Sequence, residues 1–487
     1  MKRPLRALRP ASIAALTSLG LLGCSQMPPY HAPEPPSLLA QWNEQEPRSP
    51  QPDADSSLLW QPVTGEEKPL PSQWWVLLND EVLSDLEAQL LAHSPGLAAA
   101  VARADAANAY VQQAQAAQSA SVDASGAVTN NKQSKNRPLR GSNQPNDYDA
   151  DTLGLNFNYE FDLWGRVRSA VAAGQAQAEA AQADLAGVQL SLTAALAENY
   201  LRLRGLQAQT ALLDRTLGEY QRALDFTERR HRGGLASGLD VSRAQTQLSQ
   251  VRTERSELAW QTAQYEHAIA ALLGQPATGF SLAPAAQVAR FKVPVGLPST
   301  LLQHRPDVAV AERQVAAANA RIGLAKAAFF PTFTLGMAYG YQNTGGPEWL
   351  SKPNSFWAIG PAAVLNLLDG GLRDAQLKIA QANLDETTAR YKAVAMTAFQ
   401  ETEDQLARLT QYEQEDRDQQ DASQAAERTL KLSMTRYRDG AVNYLDVVQA
   451  QTTWLQIQRS ALNLQTQNLL AGVGLVRALG GGWQPTP

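Results

Sequence analysis

The chain of 487 residues contains an internal duplication, which limits its possible folds more than any other feature. Three blocks of sequence occur twice, in the same order and at offsets of 205 to 211 residues. The matched blocks are "HSPGLAAAVARADAANAY" from His93 with "HRPDVAVAERQVAAANAR" from His304, "FDLWGRVRSA" from Phe161 with "NLLDGGLRDA" from Asn366, and "RHRGGLASGLDV" from Arg230 with "RYRDGAVNYLDV" from Arg436. Repetition at a nearly fixed offset indicates one structural unit that is used twice. We assign repeat 1 to residues 73–292 and repeat 2 to residues 293–487.

Each repeat is predicted to begin with a helix and to continue with two strands joined by a polar loop. The clearest strand is "LGLNFNYEFDL", Leu153 to Leu163, in which apolar residues alternate with small or polar ones. Such alternation predicts a strand with one apolar and one polar face. In the last strand the apolar phase is slipped by one, with Asn366 at the position of Phe161. The predicted segments are helices over 93–119 and 304–328, and strands over 121–129, 153–163, 332–341 and 356–367.

Two long helices are predicted to close each repeat. No proline occurs between Asn146 and Gln275 or between Ala362 and Gln484, although the chain contains 27 prolines. Because proline inside a helix costs about 3 kcal/mol or more, these two windows indicate uninterrupted helix. The first long helix is predicted over 165–231, on the order of 100 Å in length, before the chain turns at "RGGLASG" and returns.

The first 23 residues have the features of a secretory signal peptide. Basic residues precede an apolar stretch, Ala11 to Leu22, that is too short to span a bilayer. It ends in "LLGC", which resembles a bacterial lipobox, a motif in which cleavage exposes the cysteine for lipidation. Cys24 is the only cysteine of the chain, and the following Ser25 favours the outer membrane by resemblance to other lipoproteins. Residues 24–72 are then a lipidated tether rich in proline and serine, and ordered structure is predicted to start near Ser72.

The composition narrows the class of protein further. A net charge of −5 without a stripe of basic residues argues against a nucleic-acid partner.

No mature segment offers the roughly 18 uninterrupted apolar residues of a transmembrane helix, so any membrane-spanning part is predicted to be a β-barrel. Single-chain barrels of the outer membrane have at least about eight strands, whereas one chain here supplies about four. The barrel must therefore be shared, and two, three or four copies would give eight, twelve or sixteen strands. The apolar side chains at alternate positions from Leu153 to Phe161 would then contact lipid. Trp164 would lie at the interface between membrane and water.

The lipobox, Trp74-Trp75, the "HSPGL" and "HRPDV" blocks and the two "LDV" turns, in duplicated α–β–β–α–α order, resemble TolC-type outer-membrane efflux proteins. The lipoprotein branch that serves tripartite multidrug pumps is the most similar, and the resemblance covers nearly the whole mature chain. It implies an α+β membrane protein built as a trimer. Its twelve-stranded β-barrel, four strands per chain, would be continuous with a long periplasmic α-helical barrel and a mixed belt domain.

The same resemblance implies a function, a location and partners. The protein would be a passive exit duct of the outer membrane for drugs or other small molecules, with a large periplasmic portion. It would work with a periplasmic adaptor protein and an inner-membrane pump of the RND type, without a cofactor or a bound metal. Export of proteins by type I secretion, or of metal ions, would use the same fold and stays open, since the pump normally selects the cargo.

The resemblance also assigns roles to the two hairpin turns. In the family these tips close the periplasmic mouth at rest, and the adaptor engages them. The matching gate residues are Asp240, Asp446, Tyr437 and Leu445, and the matching adaptor-contacting residues are Gly234, Leu235, Ser237, Gly440, Ala441 and Asn443.

Two interpretations of the tip aspartates stay open. Asp240 and Asp446 follow the turns directly, where an acidic residue commonly caps a helix. Alternatively, a threefold ring of Asp446 could hold a cation at the mouth, and Tyr437 could bond to Asp240 across an interface and lock the hairpins. Many relatives carry a second aspartate three residues later, but this chain has Arg243 and Gln449 there, so a double acidic ring is not predicted.

Two other classes of protein fit the sequence less well. An enzyme is disfavoured because the five histidines are scattered and no metalloprotease, nucleophile-elbow or phosphate-loop motif occurs. A structural coiled-coil lipoprotein of the envelope would explain Cys24 and the long helices. It would not explain the alternating strands with their polar loops.

Overall fold

The structure is a computed structural model that describes residues 25–34, 42, 60–62, 70–137, 145–285, 288–296, 298–345 and 348–484. The signal peptide and the predicted lipidation site Cys24 lie outside the described residues. The strands are β1 (Trp60–Pro62), β2 (Ser121–Lys132), β3 (Asp147–Phe161), β4 (Val293–Val295), β5 (Thr332–Asn343) and β6 (Ser355–Val364). The helices are α1 (Glu81–His93), α2 (Pro95–Ala116), α3 (Arg166–Arg232), α4 (Gly238–Leu272), α5 (Pro298–His304), α6 (Pro306–Ala327), α7 (Leu372–Arg438) and α8 (Tyr444–Ala478).

The duplication is visible in the lengths of the long helices. Helices α3 and α7 have 67 residues each, and the returning helices α4 and α8 have 35 residues each. The prediction for the first long helix is confirmed to within one residue at each end. Among the helices described, none is both long enough and apolar enough to cross a membrane.

The described chain divides into two compact units, and each draws on both repeats. Unit 1 contains the stretches Ala104–Ala181 and Ala311–Tyr391 together with the N-terminal residues up to Pro33. Unit 2 contains Glu34–Arg103, Gln182–Val310 and Lys392–Pro487.

Unit 1 contains a four-stranded antiparallel sheet in the order β2-β3-β5-β6. Residues directly opposite in an antiparallel pair share a face, and Leu155 lies opposite Tyr339, which in turn lies opposite Trp357. The apolar residues of three strands therefore form one continuous face. Its members are Leu153, Leu155, Phe157, Tyr159 and Phe161 of β3, Phe333, Leu335, Met337, Tyr339 and Tyr341 of β5, and Trp357, Ile359, Pro361 and Ala363 of β6.

The opposite face of the sheet is small and polar on β2, β3 and β5. Asp123 lies opposite Asn156, and Ser125 lies opposite Gly154. The prediction of a strand over 356–367 is wrong at its C-terminal end, because β6 stops at Val364 and leaves Asn366 beyond the strand. The slipped phase at Asn366 thus reflects the end of pairing. Within β6, Trp357, Ile359, Pro361 and Ala363 keep the phase of the apolar residues on β5, whereas Phe356 and Val364 lie on the opposite face.

The N-terminal segment makes more contacts than the sequence indicates. In unit 1 the Asn319 side-chain amide donates to the Pro28 carbonyl at 3.0 Å. In unit 2 the Trp42 indole donates to the Gly296 carbonyl at 2.8 Å, and β1 pairs in parallel with β4. The composition predicts that ordered structure starts near Ser72. The observed contacts begin well before that residue.

The "HRPDV" block has a structural role in unit 2. The nearly buried Arg305 guanidinium forms ion pairs with Asp307 at 2.7 Å and Glu401 at 2.8 Å. It also donates to the Ala478 carbonyl at 2.8 Å, at the end of α8. One cation therefore joins the start of α6, the middle of α7 and the last turn of α8.

Glu87 on helix α1 is fully buried, and neither carboxylate oxygen has a hydrogen-bond partner among the described residues. Its neighbours on the buried face of the same helix are leucines, Leu83, Leu86 and Leu90. Burial without a partner disfavours the ionised form. It raises the pKa of the Glu87 carboxyl to about 9.

Candidate functional site

The two helical hairpins of unit 2 end in turns of the same geometry. Helix α3 ends where the Leu235 N–H bonds back to the Arg230 carbonyl at 2.8 Å, and α7 ends with the equivalent bond from Ala441 to Arg436, also 2.8 Å. Gly234 and Gly440 reverse the chain with φ of 75° and 76°, a region in which a side chain is unfavourable. Glycine is the residue that this backbone conformation favours at both turns.

Asp240 stabilises the turn of repeat 1 by a capping box. Its carboxylate accepts from the Ser237 N–H at 3.2 Å and from the Ser237 hydroxyl at 2.9 Å, while the Ser237 oxygen accepts from the Asp240 N–H at 3.2 Å. Arg243 lies 3.6 Å from the other carboxylate oxygen. The carboxylate of Asp240 is therefore engaged by its own helix start.

Asp446 occupies the equivalent place in repeat 2 but in a different environment. The N-cap residue there is Asn443, whose side chain makes no capping hydrogen bond. Asp446 is exposed in the first turn of α8, and its neighbour Leu445 is 38% exposed. The two repeats thus place one engaged and one exposed aspartate at their tips.

The six predicted adaptor-contacting residues all lie on the exposed surface of the turns. The most prominent apolar side chain is Leu235, which is 71% exposed. The others are Gly234 and Ser237 in repeat 1 and Gly440, Ala441 and Asn443 in repeat 2.

Tyr437 lies inside the hairpin pair and not on its surface. It is 8% exposed, and its hydroxyl has no hydrogen-bond partner among the residues that the structure describes. The predicted bond to Asp240 is not formed within this chain, since the Asp240 carboxylate is held by Ser237 and Arg243.

Arg230 joins the two hairpins, a role that the sequence did not lead us to predict. Its guanidinium donates to the Tyr437 carbonyl at 3.0 Å and lies 4.9 Å from the centre of the Tyr437 ring. The Phe226 ring lies 5.8 Å from the same guanidinium, one helical turn earlier on α3. An arginine four residues after an aromatic residue was a visible signal for such stacking.

The different caps predict different responses of the two tips to alanine. Ser237→Ala removes a side-chain cap, which typically costs about 1 kcal/mol, so amide exchange in the first turn of α4 should accelerate about fivefold. Asn443→Ala is the matched control, since its side chain makes no capping bond. Hydrogen exchange measured by mass spectrometry on both tips distinguishes the variants, and equal acceleration at the two tips would contradict the asymmetry.

Within the described ranges, no group of three or more histidine, cysteine, aspartate or glutamate side chains could hold a metal ion.

Comparison with known proteins identifies relatives along nearly the whole chain. The family model described as outer membrane efflux protein matches residues 86–275 and 297–481. The antibiotic efflux pump outer membrane protein ArpC of Pseudomonas putida is 32% identical over 473 residues, which cover 96% of this chain and 95% of that protein. The solved outer-membrane channel OprN superposes with a TM-score of 0.84 at 28% identity, covering 95% of this chain and 100% of that one. The outer membrane protein VceC of Vibrio cholerae superposes with a TM-score of 0.79 at 30% identity, covering 86% of this chain and 100% of that one.

Proposed function

The chain belongs to the outer membrane efflux protein family, and on this premise we propose that it is the outer-membrane channel of a tripartite efflux system. It forms a passive exit duct for drugs or other small molecules and catalyses no reaction. Two features of the chain together carry this proposal. The long helices of the two hairpins have the same length, and the sheet has one apolar face and one polar face. The name of the relative ArpC, an antibiotic efflux pump protein, supports small molecules as the cargo.

The open sheet edges support an assembly of several copies. Strands β2 and β6 end the sheet of the single chain, so one side of each lacks a strand partner among the described residues. Unpaired backbone groups are very costly in lipid, and pairing β6 of one copy with β2 of the next removes them. We propose three copies, which give twelve strands, with the apolar face toward lipid and the small, polar face toward a water-filled lumen.

The hairpin tips are proposed as the periplasmic gate. Asp446 and Leu445 would line the mouth, and Asp240 and Tyr437 would set the geometry of the hairpins behind it. The exposed turn residues around Leu235 would contact a periplasmic adaptor, which links the channel to an inner-membrane pump of the RND type. Lipidation of Cys24 would add an anchor in the outer membrane.

Conductance across planar lipid bilayers tests the channel. The purified protein should produce discrete current steps, whereas a structural tether of the envelope would produce none. Arg230→Ala removes a hydrogen bond from a charged donor that joins the hairpins, which is worth about 1.5 kcal/mol. The fraction of time in the higher-conductance state should therefore rise about tenfold.

Arg229→Ala is the matched control for this measurement, because Arg229 is exposed on the adjacent position of the same helix. It should leave the current records unchanged. Absence of steps in the wild-type protein would refute the channel, whereas equal records for both arginine variants would refute only the role of the hairpin link.

A further inference from the structure

The turn between β2 and β3 presents a group of basic residues at one end of the sheet. Between Asp123 and Asp147 the chain contains no acidic residue. The basic residues of this stretch that the structure describes are Lys132, Lys135 and Arg137, and all three are exposed. Among the carboxylates of the described residues, none forms an ion pair with any of them. The turn therefore offers three cations to an anion from outside the chain.

Hydrogen bonds fix the backbone of this turn. The Gln133 N–H donates to the Asn146 carbonyl at 2.7 Å, which continues the pairing of β2 with β3. The Arg137 N–H donates to the Ser134 carbonyl at 3.2 Å, and the Ser134 hydroxyl accepts from the Asn136 N–H at 3.2 Å. Serine is favoured at the first position of such a β-turn because its side chain bonds to the backbone two residues on. The basic side chains of the turn are thereby held beyond the last paired residues of the sheet.

The distance of the turn from the apolar residues of the sheet indicates which layer of the membrane it would meet. Strand β3 leads from this turn into helix α3, which the proposed function places in the periplasm, so the turn lies on the outer side. The apolar residues of β3 begin at Leu153, whereas Lys132 lies opposite Asp147, six residues closer to the turn. Six residues of a strand span about 20 Å, or about 15 Å along the membrane normal at the usual tilt of a barrel strand. In the outer leaflet, the layer at this height above the hydrocarbon contains the phosphorylated sugars of the lipopolysaccharide core.

We propose that Lys132, Lys135 and Arg137 bind phosphate groups of the lipopolysaccharide core. The contact rests on the proposed function, which sets the orientation of the sheet in the outer membrane. Ammonium and guanidinium groups form charge-assisted hydrogen bonds with phosphate oxygens, so three cations on one turn suit a sugar chain that carries several phosphates. Lys132 lies on the same face of the sheet as the apolar residues of β3, which is the face proposed to contact lipid. It is therefore directed toward the surrounding lipopolysaccharide and away from the lumen.

Three carboxylates on the same face offer a different way to hold phosphate. Asp147, Asp149 and Asp151 lie on β3 between the turn and the apolar residues, and the Asn130 side-chain amide donates to the Asp149 carboxylate at 2.7 Å. Carboxylates repel phosphate and can hold it only through a shared divalent cation. Direct binding by the basic residues should therefore persist when divalent cations are removed, whereas binding through the carboxylates should not.

Native mass spectrometry of the purified protein in detergent, titrated with rough-type lipopolysaccharide that carries a complete phosphorylated core, tests the contact. At least one bound lipopolysaccharide per chain is expected, both with and without EDTA. The triple variant Lys132→Gln/Lys135→Gln/Arg137→Gln should weaken binding at least about tenfold, because hydrogen bonds between charged groups are lost. Deep-rough lipopolysaccharide keeps the lipid A phosphates but lacks the phosphorylated core, and it should bind the wild type at least about tenfold more weakly.

A matched control removes the same number of exposed cations from unit 2. The variant Arg215→Gln/Arg222→Gln/Arg229→Gln changes three exposed arginines of α3 and should bind lipopolysaccharide like the wild type. Unchanged affinity in the triple variant of the turn, equal affinity for the deep-rough form, or loss of binding in EDTA would each overturn the proposal. Planar-bilayer currents from the same preparation separate this failure from that of the channel. A wild type that conducts in steps but fails any of these binding tests would keep the channel function and lose only the contact with the core phosphates.

Discussion

Replacement of Glu87 by glutamine is expected to stabilise the protein at pH 8 and to change its stability little at pH 4. The folded-state pKa of about 9 lies above the ordinary value of 4.5, so folding retains a proton that the unfolded chain releases. The contribution of this group is fully present below pH 4.5 and is lost progressively as the pH rises toward 9. At pH 8 the free energy of unfolding of the wild type is therefore lower than at pH 4 by on the order of 5 kcal/mol. The glutamine variant does not undergo this loss, because its side chain does not ionise.

Thermal unfolding of the detergent-solubilised protein at pH 4, 6 and 8 measures this effect. The midpoint of the wild type should fall with pH relative to that of Glu87→Gln. Glu81→Gln changes an exposed glutamate at the start of the same helix and should follow the wild type at every pH. Parallel curves for wild type and Glu87→Gln would show that the carboxyl ionises in the folded protein without cost.

Gly480→Ala is expected to destabilise the protein by about 2 to 5 kcal/mol. Gly480 has φ of 86°, where a side chain costs about 1 to 2 kcal/mol. A Cβ atom at this position would also overlap the backbone carbonyl of His304, and such overpacking adds about 1 to 3 kcal/mol. The backbone of the "HRPDV" block cannot give way easily, because Arg305 is held by two carboxylates.

Two further glycines separate the backbone contribution from the steric contribution. Gly279 has the same φ of 86°, but a Cβ added there would meet no described atom within 4 Å, so Gly279→Ala measures the backbone cost alone. Gly274, the repeat mate of Gly480, would bring a Cβ to 2.8 Å from the His93 carbonyl oxygen and should fall between the two. A midpoint for Gly480→Ala as high as that for Gly279→Ala would disprove the steric argument.

The long helices and most strands could be predicted because residues close to their ends in the sequence determine where they begin and end. Proline-free windows and the glycines at the turns set the ends of α3 to within one residue. The alternation of Leu153 to Phe161 likewise set the face of β3. The prediction for β6 extends beyond the observed end of the strand, because its C-terminal limit follows from the other repeat. Nothing in the local sequence marks Val364 as the last paired residue.

The tip chemistry was predictable in part. Both turn glycines follow from the need for positive φ, whereas the unequal roles of Asp240 and Asp446 depend on whether the N-cap side chain bonds back. Ser237 does and Asn443 does not, a difference that propensities for N-cap residues do not separate. Contacts distant in sequence, such as that of Arg230 with Tyr437, leave no periodic signal and needed the structure.

The equal lengths of the duplicated helices restrict how this chain can evolve. One residue removed from α3 alone would move its tip by about 1.5 Å and rotate it by about 100° relative to the tip of α7. The Arg230 contact with Tyr437 would then be lost, and the outgoing and returning helices of the hairpin would no longer match. We therefore expect an insertion or deletion in one of the helices α3, α4, α7 and α8 to require matching changes in the other three. Side chains on the hairpins can diverge one at a time, but hairpin length can change only in concert.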